Sequence, residues 1–399
     1  MRPLLTIFIV CAIDVMGFGV IVPLVPYIAN RFGAAPWMIT VIFGSYSFCQ
    51  LIAAPIWGRL SDRYGRRPIL ISSMAGACLS YFVLGFAPGL MWLLISRMLS
   101  GFMAGNISAA MAYAADVSAP EQRARALGTV GAAIALGFMI GPAVGGILVG
   151  NNAQTASFLL PAMVSAALSV VAILLVMLLL KESRSAEQRA ANRAGASPLV
   201  ALRTLAARPA LRWLVIAGVL VTFSQATLES IAALWGLERF AIGPRSISFV
   251  FFGLAAIAVI MQGGLIRVLA PRFGEHRLAL GGVAAYVCGL FIVGVAPTLS
   301  VALIGLALCG VGSGAFNPSA AALASRQADA GNRGVVMGTY QSGASLARIL
   351  GPFSSGLIFG RLGPGAPFLV GALVTLQAVW CLHAAHRLSP RPVCAGVAP

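Results

Sequence analysis

Long apolar runs recur along this chain from Leu4 to His386, interrupted by short clusters of glycine, proline and charge. A hydrocarbon core about 30 Å thick takes roughly 20 apolar residues per helix. Cutting the sequence at its turns and charges gives twelve such segments, near 4–29, 38–57, 69–87, 90–114, 126–149, 157–180, 213–236, 246–266, 278–295, 298–322, 334–358 and 366–386. The expected class is an all-α membrane protein. The first segment has too short a head and too long an apolar core for a cleaved signal peptide, so it is expected to remain as a helix.

Composition agrees. Hydrophobic residues make up 59% of the chain and charged ones only 9%, with a mean hydropathy of +0.94, whereas soluble domains are roughly a quarter charged. A net charge of +17 would suggest nucleic acid in a soluble protein, but the positions of the basic residues argue otherwise. With both termini and the even-numbered connections placed inside, Arg31, Arg239, Arg245 and Arg361 fall outside and Arg97 and Arg348 fall within helices. All other Lys and Arg residues are cytoplasmic, as the retention of positive charge predicts. The excess charge is therefore a topology signal, and no nucleic-acid partner is implied. Six cysteines fall inside predicted helices and Cys394 in the tail, without the spacing of a disulfide framework or a metal site.

The second half repeats the first at an offset of 209 or 210 positions. Arg63-Tyr64-Gly65 meets Arg272-Phe273-Gly274, Gly105 meets Gly314, Gly128-Thr129 meets Gly338-Thr339, Gly141-Pro142 meets Gly351-Pro352, and Gly146 meets Gly356. Six helices plus six in parallel repeat is the layout of transporters whose halves rock about a midplane site. The expected organisation is an N-terminal six-helix bundle over 1–180, a cytoplasmic linker over 181–212, a C-terminal bundle over 213–388 and a cytoplasmic tail over 389–399. Within the linker, 198–207 has apolar residues at helical spacing, which suits either a surface helix on anionic lipid or an unstructured tether.

Between the second and third segments runs Gly58-x-x-x-Asp62-Arg63-x-Gly65-Arg66-Arg67. Its glycines allow a tight turn, Asp62 can accept hydrogen bonds at a helix N-terminus, and the arginines can bridge neighbouring helix ends. The loop either latches one conformational state or merely holds topology. In the second half Pro271 stands in the place of Asp62, so any latch is asymmetric. In the fifth segment Gly137, Gly141, Gly145 and Gly146 are expected on one packing face, and Pro142 is expected to favour a kink.

Ionisable residues within spans are costly and rare without a partner or a wet cavity. Asp14 lies ten residues into the first helix from Leu4, roughly 15 Å deep at 1.5 Å per residue, and Arg97 lies at a comparable depth in the fourth. Asp14 is read as the proton-accepting carboxylate and Arg97 as its nearby cation; a permanent structural ion pair is the alternative. Glu229 and Arg348 form a second such set, either serving a cationic ligand or a second proton, or pairing structurally. Gln50, Asn106, Gln225, Trp235, Gln262, Asn317, Tyr340 and Gln341 are candidate lining residues of a largely apolar cavity, each alternatively interhelical glue. Asp116 and Glu121 are read as solvated or loop-bridging.

The Gly58–Arg67 loop, Leu93-x-x-x-Arg97-x-x-x-Gly101, Gly137-x-x-x-Gly141-Pro142-x-x-Gly145-Gly146, Asp14-x-x-Gly17 and Pro23-x-x-Pro26 together resemble the signature motifs of the major facilitator superfamily, and in particular its twelve-helix drug:proton antiporters, which include the tetracycline efflux pumps. The resemblance implies the two-bundle fold of that superfamily and export of a drug-like small molecule, tetracycline or another antibiotic, in exchange for protons. It further implies a fifth-helix motif that resists proton leak, a bacterial inner-membrane location, a monomer, no enzymatic activity, and no cofactor beyond the proton gradient. Several such pumps carry intramembrane acids in helices three and nine and a histidine in helix eight, where this chain has Ser80, Tyr286 and Ala258. That departure weighs against metal–tetracycline exchange and leaves a different hydrophobic drug open, as it does a proton-linked metabolite transporter. An intramembrane enzyme lacks a nucleophile and base at depth, since His276, His383 and His386 all lie near helix ends, and no phosphate-binding loop is present. A passive channel would leave the paired halves and Asp14 without purpose.

Overall fold

The computed structural model describes residues 3–119, 122–152, 156–183, 208–328 and 333–388. Most of the linker, Glu121, the 198–207 segment and the tail lie outside the described residues. Twelve long helices account for nearly everything described: α1 (Pro3–Arg31), α2 (Pro36–Tyr64), α3 (Arg66–Gly85), α4 (Leu90–Asp116), α5 (Arg123–Val149), α6 (Leu159–Leu179), α7 (Pro209–Phe240), α8 (Pro244–Phe273), α9 (Glu275–Val295), α10 (Leu299–Arg326), α11 (Arg333–Leu362) and α12 (Ala366–Leu388). All but α11 are apolar and long enough to cross a bilayer. In α11, six glycines, four serines and two further arginines besides Arg333 lower the hydropathy of an otherwise equivalent 30-residue helix. Proline at the first turn of α2, α7 and α8 supplies a preset φ where no N–H is needed. Outward-facing Leu178, Leu362, Phe86, Met91 and Leu373 are all more than 60% exposed, an apolar surface that only lipid can cover.

The two halves pack alike. In the first, α1 lies on α5 and α6, α2 on α4, and α3 on α6; in the second, α7 lies on α11 and α12, α8 on α10, and α9 on α12. Equivalent glycines make the equivalent contacts. A Cβ at Gly141 would sit 2.6 Å from the Met16 carbonyl of α1, and one at Gly351 would sit 2.6 Å from the Phe223 carbonyl of α7. Both glycines therefore let helix backbones touch where any side chain would hold them apart.

Two expectations are corrected. The turn after α2 is far tighter than the Gly58–Arg67 stretch suggested, because α2 continues through Gly58 and Asp62 to Tyr64 and only Gly65 breaks the helix, at φ +105°. Gly274 breaks the second half in the same way at φ +78°. Charged residues at a membrane surface keep their helical hydrogen bonds while their side chains reach water, so polarity did not mark a helix end. In α5, Gly137, Gly141 and Gly145 face α1, but Gly146 faces Ser248 and Arg245 of α8 in the other half. α5 also runs unbroken through Pro142.

Contact between halves is made by α2 with α11 and by α5 with α8. The Gly65 and Gly274 turns mark one end of the molecule, here termed the basic end. Every hydrogen bond joining the halves among the described residues lies at the opposite, far end. Tyr27 donates its hydroxyl to the Ile242 carbonyl at 2.6 Å, the Arg245 N–H donates to the Gly150 carbonyl at 3.1 Å, and the Ser246 hydroxyl donates to Asn151 Oδ1 at 3.1 Å. Gly44 meets the Phe353 ring and Gly356 meets Thr40 and Trp37 at that same end. The space between the halves is closed at the far end.

Candidate functional site

A break in α4 builds the centre of the first half. The helix unwinds over Met103–Gly105 and restarts at Asn106, which frees backbone groups that must find partners. Ser73 of α3 supplies them, donating its hydroxyl to the Met103 carbonyl and accepting the Asn106 N–H at 2.9 Å. Trp57 of α2 donates Nε1 to the Phe102 carbonyl at 2.5 Å, and its ring lies where a Cβ at Gly105 would be. Neither Ser73 nor Trp57 stood out in the sequence, because a serine and a tryptophan within apolar spans carry no distinguishing spacing.

The restarted helix presents Asn106 to Asp14. The Asn106 amide donates to Asp14 Oδ2, and the carboxylate is only 6% exposed. Asp14, Asn106, Phe18, Tyr46, Tyr81, Ser100 and Phe138 border a cavity with about 40 Å³ available to water. A single water needs about 10–15 Å³ on this measure, so the cavity admits a few waters and no drug-sized molecule. Asn106 is thus a partner of the carboxylate rather than a distant lining residue.

Arg97 is 2% exposed. It makes no direct ion pair with Asp14; its guanidinium carbon lies 5.3 Å from the Phe18 ring centroid and 5.1 Å from that of Tyr46. Both rings border the Asp14 cavity, so Asp14 and Arg97 share a wall without touching. Phe18, four residues after Asp14, lies beneath the guanidinium and borders the cavity.

Glu229 and Arg348 also face one another without a direct ion pair. Both are exposed, and Arg348 is close enough for its charge to reach Glu229 of α7. Gln225 and Asn317 are brought together, Nε2 donating to Oδ1 at 3.5 Å. Tyr340 lays its ring on Gly218 of α7. Gln50 is half-buried, Gln341 is exposed, and Gln262 is exposed on a widened π-type turn at Met261–Leu265, an irregularity often found at functional positions. Trp235 is a correction: it is 2% exposed and stacks edge-on with Phe240 and Phe368 in the core, where its bulk fills space. Ser80 is buried and donates to the Ala77 carbonyl, while Tyr286 is a core ring.

At the basic end, the helix-capping role expected of Asp62 belongs to another residue. Glu182, just beyond α6, accepts the Arg66 N–H at 2.9 Å and the Arg67 N–H at 3.0 Å, closing the N-terminus of α3 with charge of the favourable sign. Asp62 instead pairs with Arg66 at 2.9 Å, and Arg66 also reaches Asp116 at 3.1 Å. Arg67 donates to the Met177 carbonyl at 2.6 Å, and Arg63 lies 5.3 Å from the Tyr64 ring. Asp116 therefore bridges, accepting from Ser183 as well. All these contacts stay within the first half.

Comparison with known proteins fits this architecture. The family profile described as Major Facilitator Superfamily matches residues 7–300 and again 265–393. The chain belongs to that superfamily. It is 30% identical over 387 residues to the class G tetracycline resistance protein of Vibrio anguillarum, covering 92% of this chain and 94% of that protein. It is 27% identical over 384 residues to multidrug resistance protein 2 of Bacillus subtilis (strain 168), covering 93% of each. Among solved structures, a bacterial homologue of the human lysosomal transporter Spinster, inward-facing and occupied, superposes with a TM-score of 0.81 at 16% identity over 98% of both chains. The fold is that of a multi-pass transporter, and the sequence resembles the tetracycline resistance proteins.

Proposed function

We propose that this transporter exports a drug-like hydrophobic small molecule, tetracycline or another antibiotic, across the bacterial inner membrane in exchange for protons. The observation that carries the reading is Asp14: a carboxylate 6% exposed, bordering a water-sized cavity, held by one amide and by no directly paired cation. Such a group can take up and release a proton without breaking an ion pair. The names of the relatives in Vibrio and Bacillus support drug export.

In this reading the basic end is cytoplasmic, so both termini are cytoplasmic and the described conformation faces inward. Proton and drug occupy adjacent places. The Asp14 cavity serves the proton, while the drug is taken up between the halves by the candidate residues Glu229, Arg348, Gln341, Gln262, Gln50, Gln225, Asn317 and Tyr340. Gly137, Gly141, Pro142 and Gly145 keep the first half tight against leak, and Gly146 seals α5 against α8 of the second half. The Asp62–Arg66–Asp116 cluster holds the basic end of the first half as a unit that can dock on the second half when the far end opens. The transporter acts as a monomer, with the proton gradient as its energy source and no cofactor.

A susceptibility panel in an efflux-deficient bacterial host tests the proposal. Expression should raise the inhibitory concentration of a subset of hydrophobic antibiotics, and a proton uncoupler should erase the protection. Protection that survives the uncoupler, or none for any compound, contradicts it.

A further inference from the structure

All three histidines of the chain meet at the basic end of the second half. His276 is the second residue of α9, and His383 and His386 lie three residues apart near the end of α12, on one side of that helix. The His276 and His386 rings stack with centroids 4.1 Å apart and planes at 14°, and His383 meets His276 edge-on at 5.8 Å. His383 is anchored on its own helix, donating Nδ1–H to the Val379 carbonyl at 2.8 Å. The stack ties the start of α9 to the end of α12, and water reaches it, since His276 is half-buried and His386 exposed.

Nothing around the cluster offsets an added proton. The one carboxylate at this end of the second half among the described residues is Glu275, and Arg326 Nη2 of α10 holds its two oxygens at 2.7 and 2.6 Å. The other charged groups at this end of the helices packed on α9 and α12 are Arg208 and Arg212 of α7, Arg272 of α8, Arg277 on α9 itself, Arg387 on α12 itself, and Arg333, where α11 begins. The Cys381 thiol lies in the core. An imidazole takes its proton near pH 6.5. One charged ring can rest on a neutral one, whereas two charged rings about 4 Å apart repel. In an unfolded chain the rings are far apart and each takes its proton freely, so the folded chain binds fewer protons and the contact weakens as pH falls through that range.

We propose that His276, His383 and His386 form a proton-operated clasp between α9 and α12, a regulatory proton site separate from Asp14. The clasp is shut while at most one ring is charged and opens as the cytoplasm acidifies below about pH 6. α12 packs along α7, the helix of Glu229 and Gln225, and α9 follows α8 through the Gly274 turn, so an open clasp loosens the second half and slows its rocking. The inference rests on the export reading, in which protons enter the cytoplasm at this end. An exchanger that imports protons is thereby slowed when the cytoplasm is already acidic.

The test is amide hydrogen exchange of purified full-length protein in detergent, with rates referred to the intrinsic rate at each pH. Between about pH 7.5 and pH 5.5, protection over 275–282 and 379–388 should fall about tenfold in wild type, while 66–73, the equivalent start of α3 without a histidine, holds. His386→Phe, which keeps a ring but takes no proton, should lose that pH response, and His386→Lys, a fixed charge beside His276, should be loosened already at the higher pH. Melting curves establish that each variant is folded; if His386→Phe is not, His276→Gln takes its place. Equal protection of wild type at both pH values, or an equal fall in wild type and His386→Phe, overturns the clasp. In cells, benzoate, a permeant weak acid that acidifies the cytoplasm, should cut the drug resistance conferred by wild type about twofold or more beyond its effect on His386→Phe; equal loss in both overturns the link to transport. The exchange measurement involves neither drug nor gradient, so a pH-sensitive clasp in a protein that confers no uncoupler-sensitive resistance would refute the export reading and leave the clasp standing.

Discussion

Gly65 is required for two separable reasons. Its φ of +105° with ψ of 165° lies in a region essentially reserved for glycine, and a Cβ there would come within 2.6 Å of the Glu182 carboxyl carbon. Gly65→Ala should therefore cost about 1–3 kcal/mol in backbone strain alone and also displace the Glu182 cap from α3. The expected outcome is a lower melting midpoint in detergent, whereas Gly58→Ala, inside α2 where a Cβ meets nothing within 4 Å, should melt no lower than wild type. An unchanged midpoint for Gly65→Ala would show that the turn tolerates rearrangement. Residue by residue, the ionisable groups were the most legible part of the sequence, because charge at membrane depth is rare and its depth follows from counting. The capping role of Glu182 was not legible, since a glutamate in a basic linker reads as solvated until α6 is seen to end beside α3. Trp235 misled for the opposite reason: a tryptophan among apolar residues has the same sequence signature in a core as in a cavity wall.

At the scale of single helices, the break in α4 determines where Asn106 meets Asp14. Ser73 bonds to two of the backbone groups exposed by that break, and a buried group left unsatisfied costs about 1–3 kcal/mol. Ser73→Ala should lower the melting midpoint and weaken proton-driven export together, because the loosened break no longer positions the Asn106 amide. Ser72→Ala, whose exposed hydroxyl only bonds back to Pro68 of its own helix, is the control and should change neither. A stable Ser73→Ala protein with full export would separate the break from coupling. The sequence could not announce this break, because Met103-Ala104-Gly105 contains no proline and a single glycine is compatible with a continuous helix. Nor could it announce that α2 runs on to Tyr64, because Arg59, Asp62 and Arg63 have the composition of a loop while their side chains merely reach the membrane surface.

Across the whole molecule, the internal repeat foretold most of the architecture. An offset of 209 or 210 residues pairs Gly65 with Gly274 at the turns, Gly141 with Gly351 at the tight packing within each half, and Gly146 with Gly356 at the seal between halves. What the repeat left hidden was which end would be closed, since an offset between two halves does not say where α2 meets α11 and α5 meets α8. It also concealed the separation of Asp14 from Arg97, because counting fixes depth along a helix axis but not which side chain stands between two others. In the proposed exchange, a carboxylate without a direct counter-ion would be exposed to one side and then to the other as the far-end seal opens and closes.

The most direct test is substrate accumulation against its gradient in proteoliposomes under an imposed pH difference, comparing wild type with Asp14→Asn. Wild type should concentrate the drug until the pH difference collapses, and Asp14→Asn should only equilibrate it, with passive exchange preserved. Uphill accumulation by Asp14→Asn at the wild-type level would contradict the assignment of Asp14 as the proton carrier.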